Sequence, residues 1–316
     1  MQPISPTQIS SAFIWRRVHS LMGFWLVLYL FIHLLTNSQA DLWLGDDGSG
    51  FVRMVNSLES LPYLHVVEIL LIGIPLAIHL VWGVHRALTA RGNAAPSNGK
   101  KPSLKYERNF AYSLQRWSSW ILLFGIIGHV VQMRFVDLPK IAKLDYQEQA
   151  MVRLSFDEGL YTLSSRLGVK LYDSKQIGQM VIQDNSRVYI PRAYDPETSE
   201  ALDKWQRTQE QNEWKKTLAS FSLKPNQLVA VADSPGKAML LMVRDTFKSP
   251  VYAVLYTIFL LAAAFHAFNG FWTFLITWGF ILSYRSQRAM IPVCMIGAAV
   301  LAFFGLAAIW GSYWVN

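Results

Sequence analysis

VYAVLYTIFLLAAAFHAFNGFWTF, residues 251–274, runs for 24 residues without a charged side chain and carries one histidine, His266, in its second half. A bilayer core of about 30 Å is crossed by about 20 helical residues at about 1.5 Å rise each, so the stretch reads as a spanning helix. Four other stretches read the same way, near residues 18–35, 64–84, 111–133 and 289–309. The pattern predicts an all-α integral membrane protein of five transmembrane helices.

The whole-chain composition agrees. Of 316 residues, 52% are hydrophobic, 14% aromatic and only 16% charged, against roughly a quarter charged in soluble domains. That balance excludes disorder and collagen. The net charge of +8 points to anionic lipid or an acidic partner, and the apolar bulk argues against nucleic acid. The single cysteine, Cys294, excludes a disulfide framework, a CxxCH haem attachment, a cysteine-ligated iron–sulfur cluster and thiolate zinc sites within this chain.

Short loops orient membrane proteins by their Lys and Arg. Arg16 and Arg17 precede the first segment, and Arg86, Arg91, Lys100, Lys101, Lys105, Arg108 and Arg116 lie between the second and third or just inside the third. Arg285 and Arg288 lie between the fourth and fifth, whereas the loop between the first and second has only Arg53 against Asp41, Asp46, Asp47 and Glu59. The N-terminus is therefore expected in the cytoplasm and the C-terminus outside, across a bacterial inner (cytoplasmic) membrane. Residues 1–133 hold the first three helices and a basic cytoplasmic loop, 88–113; residues 249–316 hold the last two. Between them, the 115 residues from 134 to 248 form an external inserted domain, read as small and α+β, with a helix over 197–221 and strands at 187–190 and 228–232. One rival reading takes Arg16-Arg17, the following apolar run and Ser38-Gln39-Ala40 as a signal peptide with its cleavage site. His33, inside that run, argues against it.

Four of the seven histidines, His33, His79, His129 and His266, sit deep in separate segments. Each lies about 15 residues or more from the start of its segment, hence at least about 22 Å along the helix. Because the first and third segments run outward and the second and fourth inward, His33 and His129 fall in the outer half and His79 and His266 in the inner half. The two depths differ by about 14 Å in a core of about 30 Å. Facing histidines in a bundle suit b-type haem, each imidazole giving one axial bond to iron while the apolar bundle holds the macrocycle. Zinc would want three or four ligands at one depth. Two axial ligands leave no open position, so such haems carry electrons rather than bind gases.

Gly83 and Gly270 follow His79 and His266 by four residues and Gly125 precedes His129 by four, positions where a flat macrocycle can approach; small residues that merely pack helices together are the alternative. Propionates need cationic or hydrogen-bonding partners, for which Arg17, His19, Ser20, Arg86 and Arg116 are the inner candidates and Arg134 the outer one. Snorkelling interfacial anchors explain the same residues equally well.

These residues resemble the single-chain, two-haem cytochrome b anchors of succinate:menaquinone oxidoreductases (succinate dehydrogenase, complex II) and the related fumarate reductases. The match rests on Arg16-Arg17-Val18-His19-Ser20-Leu21-Met22-Gly23, on Ser60-Leu61-Pro62-Tyr63 with Glu68, and on Ile74-Pro75-Leu76-Ala77-Ile78-His79-Leu80-Val81-Trp82-Gly83-Val84. It continues through Leu114-Gln115-Arg116-Trp117-Ser118, Gly128-His129-Val130, Phe265-His266-Ala267-Phe268-Asn269-Gly270-Phe271-Trp272, Thr277-Trp278-Gly279 and Arg285-Ser286-Gln287-Arg288, covering the membrane part, about two thirds of the chain.

The resemblance implies a haem-binding bundle of the first four helices, with one haem b on His79 and His266 and an outer one on His33 and His129. It implies a flavoprotein partner subunit with FAD, which oxidises succinate, and an iron–sulfur partner subunit, which relays electrons to the inner haem. Menaquinone is then the electron acceptor, and the dicarboxylate chemistry belongs to the partner chains. A higher oligomer of the heterotrimer stays open. Relatives join helices three and four by a short loop, so the role of 134–248 is either a cap over the outer haem and quinone access or a tolerated insertion or partner surface. Some fumarate reductase relatives place a glutamate two residues before the fourth ligand; Ala264 stands there, so no proton return path is expected. Quinone reduction calls for a protonatable group near the outer haem, and Glu59 is the candidate by position and resemblance, with ordinary surface charge as the alternative. Two other readings remain: the cytochrome b of another membrane dehydrogenase, such as a formate dehydrogenase or hydrogenase, and a transporter or structural membrane protein whose histidines bind substrate or protons.

Overall fold

The computed structural model describes residues 10–40, 46–89, 104, 107–183 and 199–314. In chain order the helices are α1 (Ser11–Ser38), α2 (Ser49–Glu59), α3 (Leu64–Thr89), α4 (Glu107–Val136), α5 (Glu158–Leu167), α6 (Ser174–Gln183), α7 (Ser199–Ala219), α8 (Pro235–Phe247), α9 (Pro250–Thr277) and α10 (Tyr284–Trp314). The strands are β1 (Lys140–Leu144), β2 (Gln147–Ser155), β3 (Lys170–Tyr172) and β4 (Gln227–Ala232). The described residues fall into two compact units, those within 1–35, 62–128 and 254–306 in one and those within 36–61, 129–253 and 307–316 in the other.

The first unit is built from α1, α3, α4, α9 and α10, which are long and apolar enough to cross a membrane. Each is longer than hydropathy alone gives, because a helix continues through polar flanks: α1 starts at Ser11 and carries Arg16 and Arg17 within its helical turns. Large apolar side chains such as Val81, Trp117, Phe124, Met295 and Phe303 remain on the outside, a surface that suits lipid and not water. Inside, Leu301 is fully buried with Ala264 and Ala267, against Val27, Leu30 and Leu34 of α1. Glycines let the helices close: Gly297 lies against the Phe268 ring, Gly305 against Leu260 and Gly125 against Phe259. In α3 a π-helical turn, Ile69–Gly73, is met from α1 by the Trp25 indole, whose Nε1 donates to the Leu71 carbonyl at 2.6 Å. The signal-peptide alternative places its cleavage site at the end of α1, which is helical to Ser38 and followed by a buried Ala40.

The second unit is an antiparallel sheet of order β1-β2-β4-β3 between two helical layers. On one face Ala150, Val152 and Leu154 of β2 and Leu228, Ala230 and Ala232 of β4 pack on α5 and α8; on the other Met151, Val229 and Val231 pack on Ile177 of α6 and on Trp214 and Leu218 of α7. Covering both faces removes the polar alternation of a half-exposed strand.

β1 and β2 join through the two-residue turn Asp145-Tyr146, both at positive φ (50° and 65°) as a type I′ hairpin requires. The unusual Tyr146 is held by α7: its N–H donates to Glu210 Oε2 at 2.8 Å, its hydroxyl bonds Asp203, and Arg207 lies over its ring.

The connection between the first two spanning helices also belongs to this unit. α2 packs on α8 so closely that a Cβ on Gly236 would stand 2.6 Å from the Val52 carbonyl oxygen, while the Gly236 N–H donates to Asn56 Oδ1 at 2.8 Å. Arg166 Nε donates to both carboxylate oxygens of Asp47 at 3.0 Å. At the other end of α5, Asp157 caps the helix by accepting from the Leu160 N–H at 2.9 Å and is held bidentately by Arg244, at 2.7 and 2.9 Å, and by Lys248 at 2.9 Å. Burial raises the Asp157 pKa, but the bonds from Arg244 and Lys248 outweigh it and hold the carboxyl well below the usual range.

Within the insertion, the helix expected over 197–221 is α7 and the strand at 228–232 is β4. The strand expected at 187–190 and most of the basic loop lie outside the described residues. Residues 107–113, expected as loop, are the first two turns of α4, since Glu107 suits a helix start and an exposed flank as readily as a linker.

Candidate functional site

Four helices of the first unit bring polar side chains to one place: His19 from α1, His79 from α3, Gln115 and Ser118 from α4, and His266 and Asn269 from α9. The His79 and His266 ring centroids are 6.3 Å apart and their planes cross at 79°. This is the inner pair expected from the sequence.

The hydrogen bonds fix which nitrogen of each ring is available. His79 Nδ1 lies 3.1 Å from the His19 carbonyl oxygen; a carbonyl only accepts, so Nδ1 carries the proton and Nε2 keeps its lone pair. His266 Nδ1 lies 3.1 Å from Ser118 Oγ, whose own proton goes to the Gln115 carbonyl at 3.0 Å, so the hydroxyl oxygen accepts from His266 as well. Metal-ligating imidazoles are oriented in this way, their second N–H engaged by a carbonyl or another acceptor. With about 2 Å from a metal to each nitrogen, ring centres on opposite sides of one iron stand roughly 6 Å apart, which the observed separation matches. Two imidazoles with lone pairs at Nε2, in an apolar four-helix core, fit a bis-histidine haem. Among the described residues no group of three or more His, Cys, Asp and Glu side chains is placed to hold a metal ion.

Close approach explains the small residues. A Cβ on Gly23 would stand 2.9 Å from His79 Cε1 and 3.1 Å from its Nδ1, so the bare face of α1 is what lets the ring reach the His19 carbonyl. A Cβ on Gly83 or Gly270, both singled out in the sequence, would stand 3.6 Å from His19 Cε1 or 3.8 Å from Gln115 Nε2, ordinary contact distances. Gly125 does not serve its histidine this way: Phe259 of α9 occupies its open side, so helix packing accounts for it.

His19 is more central than a segment-end residue. Because α1 begins eight residues before it, its ring lies inside the bundle, stacked on His79 at 4.1 Å and 10°, and its Nδ1 is buried without a hydrogen-bond partner. Of the other inner candidates, Arg17 lies over the Phe13 ring at 3.7 Å and Arg116 donates to the Ala87 carbonyl at 3.0 Å. Ser20 lies one residue beyond His19 on α1.

The outer pair divides between the two units. His33 is on α1 in the first, with Tyr29 stacked on its ring at 5.5 Å; His129 is on α4 in the second, two residues before the π-helical turn Val131–Val136 that carries Arg134. Glu59 ends α2 in the second unit, and in the first Glu68 pairs with His65 at 3.4 Å. Gly23, Gln115, Ser118 and Asn269 are the site residues that sequence reasoning did not assign. Their only signal was proximity in the matched motifs, since Gly, Ser and amide side chains are ordinary at membrane helix interfaces.

Fold and site together define a multi-pass helical membrane protein whose bundle core holds paired, oriented imidazoles. The chain is similar to the succinate dehydrogenase cytochrome b558 subunit of Bacillus subtilis (strain 168), with 24% identity over 298 residues, 94% of this chain and 95% of that protein. No family model matches the chain, and no solved structure matches it.

Proposed function

We propose that this chain is the cytochrome b membrane anchor of a succinate dehydrogenase, holding two bis-histidine b haems and passing electrons to menaquinone. The observation that carries the reading is the His79–His266 pair, with ring centres 6.3 Å apart and both Nδ1 atoms engaged, which leaves the lone pairs at Nε2. The similarity to a cytochrome b558 subunit along nearly the whole chain supports it independently.

In this reading His79 and His266 hold the inner haem, His33 and His129 the outer one, and each bound haem supplies a one-electron carrier. The His19 carbonyl and Ser118 orient the inner ligands. Arg17, His19, Ser20 and Arg116 on the inner side and Arg134 on the outer side meet the propionates, and Glu59 serves the quinone with protons. The apolar bundle excludes water and small oxidants from the pair. The basic loops face the cytoplasm, where the iron–sulfur and flavoprotein partners dock, and residues 134–248 face outward.

The test is a dithionite-reduced minus oxidised spectrum with a pyridine haemochrome assay on the purified chain, in wild type, His33→Ala and His79→Ala. Two b haems per chain, each variant losing mainly its own, are expected. A well-folded chain without haem, despite supplied haem, would sink the reading and favour a transporter or structural role.

A further inference from the structure

His79 and His266 are held by unlike acceptors. The His79 ring meets a main-chain carbonyl, which no substitution can remove, whereas the His266 ring meets the side chain of Ser118, 3% exposed and itself donating to Gln115 O. Gln115 and Ser118 are three residues apart on one face of α4 and take hold of α9 at both ends of the ligand. Gln115 Nε2 donates to the His266 carbonyl at 3.2 Å and Gln115 Oε1 accepts from Asn269 Nδ2 at 2.8 Å.

We propose that Ser118 is a positioning residue for His266, holding its ring orientation and its Nδ1–H tautomer and thereby setting the reduction potential of the inner haem separately from the outer one. The proposal rests on the cytochrome reading above. An acceptor at Nδ1–H makes the imidazole a stronger donor at Nε2 and favours the oxidised metal, so second-shell bonds are among the protein's means of tuning a haem. Ser118→Ala removes the His266 acceptor outright, whereas the His79 acceptor is main chain and is reached only indirectly, through the packing around it, so only one of the two ligands has a side chain as its acceptor.

The experiment is a potentiometric titration of both b haems in the purified complex, in wild type, Ser118→Ala and Ser118→Thr. Ser118→Ala is expected to favour reduction of the inner haem about tenfold, a rise of about 59 mV for one electron, with the outer haem unmoved and Ser118→Thr close to wild type. Loss of the inner haem from Ser118→Ala that Ser118→Thr restores would equally support the proposal. Unmoved potentials, equal shifts in both haems, or a loss that threonine does not restore would overturn it. A wild-type complex without haem would instead overturn the cytochrome reading and this proposal with it.

Discussion

Gly23→Ala is the sharpest perturbation of the inner site. The added Cβ would stand 2.9 Å from His79 Cε1 and 3.1 Å from Nδ1, so either the ring retreats or α1 and α3 separate. A retreat of a few tenths of an ångström stretches the 3.1 Å bond to the His19 carbonyl towards its limit. Losing that bond costs about 0.5–1.5 kcal/mol and overpacking about 1–3 kcal/mol, against roughly 1 kcal/mol regained because alanine favours a helix over glycine. The net is on the order of 1–3 kcal/mol, and 1.4 kcal/mol is a tenfold weaker hold on the inner haem. The assay is inner haem per chain after purification, with Gly73→Ala as control because its Cβ would meet only the Glu68 carbonyl oxygen at 3.9 Å. Wild-type haem content, spectrum and thermal stability in Gly23→Ala would refute the reasoning.

Other consequences concern the second unit. Asp157→Asn keeps an oxygen to cap α5 but leaves Arg244, 5% exposed at its side chain, without its carboxylate; a loss of about 2–3 kcal/mol is expected in thermal unfolding, less than for a fully buried pair since Asp157 is 28% exposed. Because the folded Asp157 pKa is depressed, its contribution is present above the ordinary carboxylate value near 4 and lost as pH falls below it; melting temperatures in that range should fall more steeply in wild type than in the variant. Gly236→Ala should cost about 1–3 kcal/mol, read as a lower Tm, because its Cβ would meet the Val52 carbonyl oxygen at 2.6 Å and backbone yields poorly. Gly178→Ala, in α6 with open space around it, should raise stability by roughly 0.4–1 kcal/mol in the same melts.

The spanning helices were legible because lipid demands long uncharged runs, and the same demand made four embedded histidines stand out. The second unit was not. β2 carries apolar side chains on both faces, its hairpin turns on Asp145-Tyr146 instead of an Asn-Gly pair, and α2 joins from a distant part of the chain through Gly48 and Gly236, whose neighbours no local pattern reveals. At the site, the pairing of His79 with His266 followed from depth and direction. Its acceptors did not, since a serine three residues after a glutamine becomes a clamp only once α9 lies beside it.

The most direct measurement is the low-temperature EPR spectrum of the oxidised purified chain, in wild type and His266→Ala. His79 and His266 would hold the inner haem with ring planes that cross at 79° here, and if they keep that angle with haem bound, a highly anisotropic low-spin ferric signal is expected, absent in the variant. A high-spin signal in wild type, or the same low-spin signal surviving without His266, would contradict the account.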